Sequence, residues 1–456
     1  MNTISNYTHF FFIGIAGTGM SAIAQYLRGT GKKVSGSDRL FSTDKKMQIQ
    51  EQFEHQGITC FFQDASGVAE NVDVVIISTA IEESNIELQK ARQMNIPVMK
   101  RSELLATISS EKRTIAVGGT SGKSTTTAMI FHILQENGYA PSIMSGAGLV
   151  ALQKQGLPGN AWVGKSDWLV IEADESDGSI INYVPEISVV LNVDRDHKEM
   201  DELMQLFTTF KNNTRKTFIV NHDHHNLNAL SQGSSLDFGT TSGCGFEGRN
   251  FVQNGFNIQF LIKDIPFSIP VIGRHNMENA LAATAVASAT GIPVEKSAAA
   301  LRSYEGIYRR TQLVGEKKGI CVIDDFAHNP SEVSAAIRSC QSFGKRVFAW
   351  FQPHGYGPLK FMHKELASEI IKTLRKDDHF ILSDVYYAGG TVTKEVTSED
   401  VIKEINLKIT NASLINYRNK LPEFLLQYCK SGDVILLMGA RDPSLADFAN
   451  LIFEYL

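Results

Sequence analysis

The feature that most constrains this chain is a glycine-rich turn at residues 118–122, which reads GGTSG. An apolar run precedes the turn, and Lys123 and Ser124 follow it at the start of a stretch with helical character. Glycines let backbone N–H groups turn toward phosphate oxygens, a lysine adds positive charge, and a serine hydroxyl can bind Mg²⁺. The strict phosphate-loop pattern is not met, because Val117 stands where its first glycine belongs. We predict a phosphate-binding strand–loop–helix unit, with an ordinary strand-to-helix turn as the alternative.

Length and charge narrow the class of protein. The chain has 456 residues, 43% of them hydrophobic and 20% charged, and its formal net charge is -5. These values predict two or three globular domains and give no reason to expect a nucleic-acid partner. Five scattered cysteines form no C-x-x-C pair, which predicts reduced thiols and a cytoplasmic location. The sequence contains no apolar stretch long enough to span a bilayer, so we expect no membrane partner.

The first hundred residues predict a nucleotide-binding unit. Residues 9–13, HFFFI, form an apolar run typical of a buried parallel strand, and GIAGTG follows at residues 14–19. This turn is similar to the dinucleotide-binding pattern, but Ala16 replaces the second glycine, where a side chain obstructs a pyrophosphate. Asp38 lies about 20 residues beyond the turn, where a ribose-binding carboxylate belongs. A nucleotide-like ligand is favoured, and a nicotinamide-dependent oxidoreductase stays open as an alternative.

Further along the first unit, polar residues follow two more apolar segments. Residues 73–78, DVVIIS, predict a buried strand, and Thr79 follows at its carboxyl end, the edge where open α/β sheets bind ligands. Arg101 follows a short apolar segment at residues 95–98. Its spacing alone fits a ligand contact and a solvated surface charge equally well.

Two acidic segments follow apolar strands beyond the glycine-rich turn. Glu172 opens the first, EADESD, whose four acids repel one another unless a cation or hydrogen-bond donors compensate. We predict Mg²⁺ coordination there, with a solvated acidic loop as the alternative. The second segment, VVLNVDRDH at residues 189–197, ends in His197, which we take as a candidate second metal ligand.

The remainder of the central region carries less specific indications of function. We interpret the histidines of residues 222–225 as a polar loop rather than a metal site, and residues 238–270 as small antiparallel strands. Asn276 and Asn279 are three residues apart at the start of an alanine-rich segment, so they share one face of a predicted helix. This placement suits polar recognition, with N-capping as the alternative.

Strand and helix patterns alternate again from residue 311 to residue 456. The apolar segments end in polar loops, which predicts a parallel sheet with its loops at one edge. Asp325, His328, His354 and Arg441 lie in these loops. Judged singly, each is more typical of a polar loop residue than of a catalytic one. The whole chain is therefore predicted to be of the α/β class.

Taken together, these segments resemble the Mur ligases, the ATP-dependent amino-acid ligases of peptidoglycan synthesis. The resemblance covers nearly the whole chain. It rests on ten segments in the family's order, which are GIAGTGMSAIA, SGSD, STAI, GTSGKSTTT, EADESD, NVDRDH, GRHNMENALAA, YRRTQ, DDFAHNPSEV and FQPH.

The resemblance implies three domains and a reaction. Residues 1–108 would form a Rossmann-like domain that binds a UDP-sugar, residues 109–310 a P-loop ATPase-like domain with a mostly parallel sheet, and residues 311–456 a Rossmann-like domain that closes on ATP and the amino acid. The enzyme would join an amino acid, preferentially L-alanine, to the carboxylate of UDP-N-acetylmuramate through an acyl phosphate. Its cofactors would be ATP and Mg²⁺, or Mn²⁺ in its place, and we expect a monomer or weak homodimer.

Site residues carry over from the family at matching positions. The UDP-sugar would be bound by Gly17, Thr18, Gly19, Met20, Ser37, Asp38, Ser78, Thr79 and Arg101. ATP would be bound by Gly119, Thr120, Ser121, Gly122, Lys123, Ser124, Thr125, Asn276, Arg310, Asp325 and His328. The metal would be held by Ser124, Glu172 and His197, and the catalytic set would comprise Lys123, Glu172, His197 and Arg310.

The sequence departs from the family's pattern in several places. Ser121 and Ser124 replace a usual histidine and threonine, and the segment DELMQLFTTF lacks the lysine that some relatives carbamylate. The loop after FQPH reads GYGP from Gly355 onward, so an arginine expected to touch substrate is missing. These departures keep open a muropeptide-recycling ligase, or a diverged ligase with another amine or acceptor.

Overall fold

The computed structural model describes residues 4–42, 46–193, 200–231, 233, 235–387 and 394–456. Contacts between Cα atoms divide the chain into two compact units. The first comprises Met1–Phe251, Gln259–Ile269 and Arg274–Gly306, and the second comprises Val252–Ile258, Pro270–Gly273 and Ile307–Leu456. The domain boundaries predicted at residues 108 and 310 stay predictions.

The first sheet is parallel and has five strands. The strands are β1 (His9–Ile13), β2 (Lys33–Ser37), β3 (Thr59–Phe61), β4 (Val74–Ile77) and β5 (Val98–Lys100), in the spatial order β3-β2-β1-β4-β5. The helices are α1 (Thr18–Gly29), α2 (Gln48–His55), α3 (Ile86–Gln93) and α4 (Arg101–Ser110), preceded by a 3₁₀ turn at Ile4–Asn6. The apolar run HFFFI forms β1, and because helices cover a parallel sheet, all five of its residues are buried.

A second sheet of six strands follows. The strands are β6 (Arg113–Gly118), β7 (Ser142–Met144), β8 (Ala161–Trp162), β9 (Trp168–Glu172), β10 (Ile187–Val190) and β11 (Thr217–Val220), in the order β11-β10-β6-β9-β7-β8. The edge strand β8 is antiparallel to β7, and the other pairs are parallel. The helices are α5 (Lys123–Glu136), α6 (Val150–Gln153), α7 (Met200–Asn213), α8 (His225–Asn228), α9 (Arg274–Ala289) and α10 (Val294–Leu301), with a 3₁₀ turn at Ser179–Asn182.

A small four-stranded sheet lies between α8 and α9 in the chain. It has the order β12 (Phe238–Gly239), β13 (Phe246–Gln253), β14 (Ile258–Ile262) and β15 (Ile265–Ile269). Lys263 and Asp264 both have positive φ, 48° and 66°, as the tight turn of a β-hairpin requires. The prediction of purely antiparallel strands is wrong in one place, because β12 and β13 run parallel. The histidine-rich segment, predicted as a loop, includes the short helix α8.

The sheet of the second unit also has six strands. They are β16 (Gln312–Lys317), β17 (Ile320–Asp325), β18 (Val347–Phe351), β19 (His379–Ser383), β20 (Ala412–Ile415) and β21 (Val434–Met438), in the order β16-β17-β21-β18-β19-β20. β16 is antiparallel to β17, and the other pairs are parallel. The helices are α11 (Pro330–Gln341), α12 (Tyr356–Thr373), α13 (Ser398–Asn406), α14 (Leu421–Tyr428) and α15 (Leu445–Tyr455), with a 3₁₀ turn at Arg418–Lys420. The predicted α/β class is confirmed.

Helix α1 joins the first two sheets within the first unit. The Asn160 side chain is buried before β8, where it donates to the Thr18 carbonyl (2.8 Å) and the Ser21 hydroxyl (2.7 Å) and accepts from Gln25 (2.7 Å). A Cβ at Gly29 would lie 2.6 Å from a methyl group of Val163, so the helix approaches the second sheet closely. Buried hydrogen bonds of this kind fix one arrangement of the two sheets.

Two further observations bear on the class of protein. All five cysteines are free thiols. Within the described residues, no helix combines the length and the hydropathy needed to cross a membrane.

The amino ends of the central strands meet in an ion-pair cluster. Glu186 precedes β10, and its carboxylate accepts from the Arg113 guanidinium (2.8 and 3.1 Å) and from Lys216 (2.8 Å). Arg113 also stacks over the Trp168 ring, 3.9 Å from its centroid. The hydrogen bonds from Arg113 are the main reason that the pKa of Glu186 is lowered to about 2. The ionised carboxylate therefore stabilises the fold above its ordinary pKa near 4.5, and this stabilisation is lost as the pH falls from there toward 2.

We expect Glu186→Gln to lower the free energy of unfolding by about 2 kcal/mol at neutral pH, and by about 1 kcal/mol less at pH 4. Urea unfolding followed by tryptophan fluorescence measures both values. Glu83→Gln, which removes an exposed ion pair with Arg92, is the control and should change stability by less than about 0.5 kcal/mol at either pH. A difference between wild type and Glu186→Gln that is equal at the two pH values would contradict the assignment.

Candidate functional site

The glycine-rich turn forms a loop between β6 and α5. We call residues 118–122 the phosphate loop. Gly119 has φ 131° and Gly122 has φ 82°, conformations that residues with a side chain rarely adopt. A Cβ at Gly119 would lie 3.1 Å from the Leu191 Cβ, so the loop also passes close to the chain after β10. The helix begins at Lys123, which directs its first N–H groups toward the loop.

Asn192 holds the phosphate loop in place. Its carbonyl oxygen accepts from the Ser121 N–H and from the Thr120 hydroxyl, both at 2.8 Å, and its amide donates to the Ser121 carbonyl at 3.0 Å. The Thr120 N–H donates to the Asn192 main-chain carbonyl at 3.3 Å. The sequence indicates that Asn192 follows a strand, but it does not indicate that this residue binds the phosphate loop.

The Lys123 ammonium group is paired with a buried acid. It donates to both carboxylate oxygens of Glu175, at 2.9 and 3.2 Å, and to the Gly119 carbonyl at 2.6 Å. The Glu175 side chain is 8% exposed and that of Lys123 is 16% exposed. Burial raises the pKa of Glu175, against the opposing effect of the Lys123 charge. This pair fixes the lysine at the start of α5, beside the phosphate loop.

Glu172 and Ser124 place two oxygen atoms together where they could bind a metal ion. The Ser124 hydroxyl donates to one carboxylate oxygen of Glu172 at 3.1 Å. The other oxygen accepts from the Ser145 hydroxyl (2.7 Å) and the Gly146 N–H (2.6 Å), which orient the carboxylate. A hydroxyl and an oriented carboxylate are donors that Mg²⁺ accepts, so these residues fit that ion.

The acids of EADESD have separate partners, and hydrogen-bond donors compensate three of them. Glu172 faces Ser124, Glu175 pairs with Lys123, and Asp177 pairs with Arg101 at 3.3 Å. Among the described residues, no group of three or more His, Cys, Asp and Glu side chains could hold a metal. The predicted metal ligand His197 lies outside the described residues.

Two asparagines of α9 lie beside the phosphate loop. Asn279 accepts from the Thr126 hydroxyl at 3.2 Å and donates to Asn276 at 3.1 Å. A Cβ at Gly122 would lie 2.6 Å from the Asn279 carbonyl oxygen, which explains the glycine there. Both asparagines are buried. The prediction that they share one helix face is confirmed. Thr125, also predicted at the ATP site, is half-buried in the first turn of α5.

The first sheet places its candidate residues around the turn after β1. The N–H groups of Gly14 and Ile15 donate to the Ser37 carbonyl, at 2.8 and 2.9 Å, and the Ala16 N–H donates to the Asp38 carboxylate at 3.0 Å. The remaining predicted residues vary in exposure. Gly17, Thr18 and Thr79 are exposed, Gly19 and Ser78 are half-buried, and Met20 is buried. The Arg101 guanidinium lies over Gly19, 2.7 Å from where a Cβ would stand.

A residue that the sequence reasoning missed lies beneath this turn. Glu87, in the first turn of α3, is fully buried and accepts a hydrogen bond from the Ser37 hydroxyl. Burial raises its pKa to about 7, against the lowering effect of this bond. No periodicity or motif signals the contact, because the two residues are 50 positions apart.

The second unit contains the other predicted ATP residues. Asp325 ends β17 and accepts from the N–H groups of Thr311 (2.6 Å) and Ala327 (2.7 Å). His328 pairs with Glu332 at 3.0 Å, and this hydrogen bond raises its pKa. Arg310 is exposed. The neighbouring Arg309, which we had not singled out, forms a buried ion pair with Asp324 at 2.8 Å.

Three family models match the chain in succession. They are described as Mur ligase family, catalytic domain (residues 9–113), Mur ligase middle domain (117–287) and Mur ligase, glutamate ligase domain (309–441). A UDP-N-acetylmuramate–L-alanine ligase of Geotalea uraniireducens is 35% identical over 447 residues, which cover 94% of each chain.

Solved structures show the same fold. A UDP-N-acetylmuramate-alanine ligase of Thermotoga maritima has a TM-score of 0.80 at 23% identity, covering 98% of each chain. A murein peptide ligase of Psychrobacter arcticus has a TM-score of 0.64 at 20% identity, with the same coverage. The three-domain α/β architecture is thereby confirmed.

The relatives decide between the two enzyme classes that the sequence left open. Identity of 35% over 94% of the chain accounts for the phosphate loop and the acidic strand ends, which a nicotinamide-dependent oxidoreductase would leave unexplained. The chain belongs to the Mur ligase family and is an ATP-dependent ligase.

Proposed function

We propose that this enzyme joins L-alanine to the carboxylate of UDP-N-acetylmuramate in peptidoglycan synthesis. The observation that carries the proposal is the phosphate loop with Lys123, Ser124 and Glu172, in a chain 35% identical to a ligase with that name. ATP, the UDP-sugar and the amino acid are the partners, and nucleic acid and membrane are not. We further propose a cytoplasmic monomer or weak homodimer.

The phosphate loop is proposed to bind the ATP phosphates. Backbone N–H groups at the start of α5 would donate to phosphate oxygens, and Lys123 would neutralise the terminal phosphate. The proposed ATP residues are Gly119, Thr120, Ser121, Gly122, Lys123, Ser124, Thr125 and Asn276 from the first unit, with Arg310, Asp325 and His328 from the second. Their support is the family's pattern, together with the loop geometry for those near Lys123.

Ser124 and Glu172 are proposed to hold Mg²⁺, or Mn²⁺ in its place, and His197 a second ion. A bound divalent ion would supply positive charge against the phosphate oxygens. The protein's own contribution is orientation, because Ser145 and Gly146 fix the Glu172 carboxylate on the side opposite Ser124.

The turn after β1 is proposed to bind the UDP-sugar. The exposed residues Gly17 and Thr18 lie at the start of α1, where a helix attracts phosphate. Gly19, Met20, Ser37, Asp38, Ser78, Thr79 and Arg101 complete the proposed set. Asp38 directly follows β2 and accepts from the Ala16 N–H, so it also shapes the turn.

The proposed chemistry needs no protein nucleophile. The substrate carboxylate takes the terminal phosphoryl group of ATP, which gives an acyl phosphate and ADP. The amine of the amino acid attacks the acyl carbon and loses a proton, and the tetrahedral intermediate expels inorganic phosphate to leave the amide. The residues contribute charge neutralisation, by Lys123, and fixed positions for the reacting groups.

Phosphate release identifies the substrates. We expect release with UDP-N-acetylmuramate, ATP, Mg²⁺ and L-alanine together, and none when either substrate is omitted. A peptide such as L-alanyl-γ-D-glutamyl-meso-diaminopimelate should not replace L-alanine. Release with the peptide and not with L-alanine would establish the muropeptide ligase, the alternative that the altered loop at Gly355 keeps open. Release with neither amine would remove the proposed function.

Lys123→Ala should lower kcat by at least 10²-fold, because the terminal phosphate loses its neutralising charge. Binding of UDP-N-acetylmuramate, measured by isothermal titration calorimetry, should persist, since Lys123 is not among its proposed contacts at the first sheet. The control is Lys112→Ala, which removes an exposed lysine paired with Asp167 and should retain activity. Comparable turnover in Lys123→Ala would contradict the assignment.

Glu172→Gln should raise the Mg²⁺ concentration needed for half-maximal rate by about tenfold or more, because an amide oxygen binds a divalent ion more weakly than a carboxylate does. A magnesium titration of the initial rate measures this value. Glu136→Gln, an exposed acid at the far end of α5, is the matched control and should leave the titration unchanged. An unchanged magnesium requirement in Glu172→Gln would assign the ion to other residues.

A further inference from the structure

A short turn connects the two candidate sites of the first unit. We call residues 173–178 the acidic turn. It begins where the Ala173 N–H donates to the Val117 carbonyl at 2.9 Å, directly beneath the phosphate loop. It closes where the Gly178 N–H donates to the Glu175 carbonyl at 3.1 Å, with Gly178 at φ 73°. The turn is therefore tied to β6 at one end and closed on itself at the other.

One side chain of the acidic turn fixes the lysine of the ATP site. Glu175 binds Lys123 through both carboxylate oxygens, and the Asp174 carboxylate lies 4.0 Å from the same ammonium group. Since Glu175 is buried, displacing the turn would leave its charge uncompensated. Removing one member of a buried pair is costly for this reason. The position of Lys123 thus depends on the position of the turn.

A second side chain of the acidic turn fixes the arginine of the UDP-sugar site. Asp177 accepts from Arg101 at 3.3 Å, and the two side chains are 21% and 24% exposed. The other oxygen of Asp177 accepts from the Ser179 N–H at 2.9 Å, which anchors the carboxylate to the backbone. Arg101 is thereby held over Gly19 at the start of α1.

We propose that Asp177 is a positioning residue that couples the UDP-sugar site to the ATP site through the acidic turn. A ligand that moves Arg101 changes its ion pair with Asp177. The closed turn transmits this change to Glu175 and Lys123. The inference rests on the proposed function where it takes Arg101 as a UDP-sugar contact. The ion pairs and hydrogen bonds that form the connection lie within one compact unit.

The test measures binding of ATP with Mg²⁺ to Asp177→Asn, Arg101→Gln and the double variant. If Asp177 acts by positioning the acidic turn, both single variants should weaken ATP binding by about fivefold. The double variant should then bind ATP no more weakly than either single variant does. A direct effect of charge predicts that the two single variants change the ATP affinity in opposite directions. Arg101→Gln leaves an unpaired negative charge and should weaken ATP binding, whereas Asp177→Asn removes a negative charge and should strengthen it. Opposite signs, or unchanged affinities, would overturn the proposal.

Two controls separate positioning from general damage. Asp177→Glu keeps the carboxylate and should restore most of the affinity that Asp177→Asn loses. Glu83→Gln breaks an exposed ion pair with Arg92 of α3 and should bind ATP as the wild type does. Loss of affinity in Glu83→Gln equal to that in Asp177→Asn would show a structural cause and overturn the proposal.

A second set of measurements repeats the ATP-binding experiment in the presence of UDP-N-acetylmuramate. Saturating sugar nucleotide should change the ATP affinity of the wild type and leave that of Asp177→Asn unchanged. Coupling that survives in Asp177→Asn would overturn the inference while the proposed function stands. Absence of sugar-nucleotide binding to the wild type would instead remove the proposed acceptor, and the ATP arm would still decide the inference.

Discussion

The register of three parallel strands determines where the charged groups of the central sheet meet. Val117 of β6 lies opposite Glu172 of β9 on one side and Val189 of β10 on the other. Because the strands are parallel, the phosphate loop, the acidic turn and Asn192 all begin within three residues of these paired positions. A slip of one residue in the pairing of β6 with β9 would reverse the faces of a strand and separate Glu172 from Ser124. Backbone pairing deep in the sheet therefore underlies the geometry of the site.

Much of the fold could be predicted from the sequence, since its strands are continuous apolar runs followed by glycine or acidic turns. HFFFI, TIAVG and the strand before EADESD each lie where their pattern indicated. The parallel pairing of β12 with β13 could not be predicted, because β12 has two residues and carries no periodicity. Short elements take their partners from tertiary packing rather than from local preference.

The sequence was enough to predict which residues belong to the candidate site. It was not enough to predict which of them form ion pairs or hydrogen bonds with one another. Lys123, Ser124 and Glu172 stood out because glycine-rich loops and strand-end acids have known chemistry. That Glu175 would bind Lys123 and Asp177 would bind Arg101 could not be read from spacing, since the acids of EADESD look alike in sequence. Their separate partners follow from the direction in which each side chain leaves a tight turn. The same holds for Glu87 and Ser37, which meet because the fold brings the first turn of α3 to the end of β2.

The ion-pair cluster around Glu186 occupies the amino ends of the same strands whose carboxyl ends carry the phosphate loop. A pH-dependent contribution to stability and the candidate phosphate-binding residues thus lie at opposite ends of the same strands, separated by the buried apolar interior of the sheet. At one end, Arg113 and Lys216 contact Glu186, and these three residues make no hydrogen bond to the phosphate loop in the part of the chain that the structure describes. The Glu186 end of these strands therefore contributes to the pH range in which the protein stays folded.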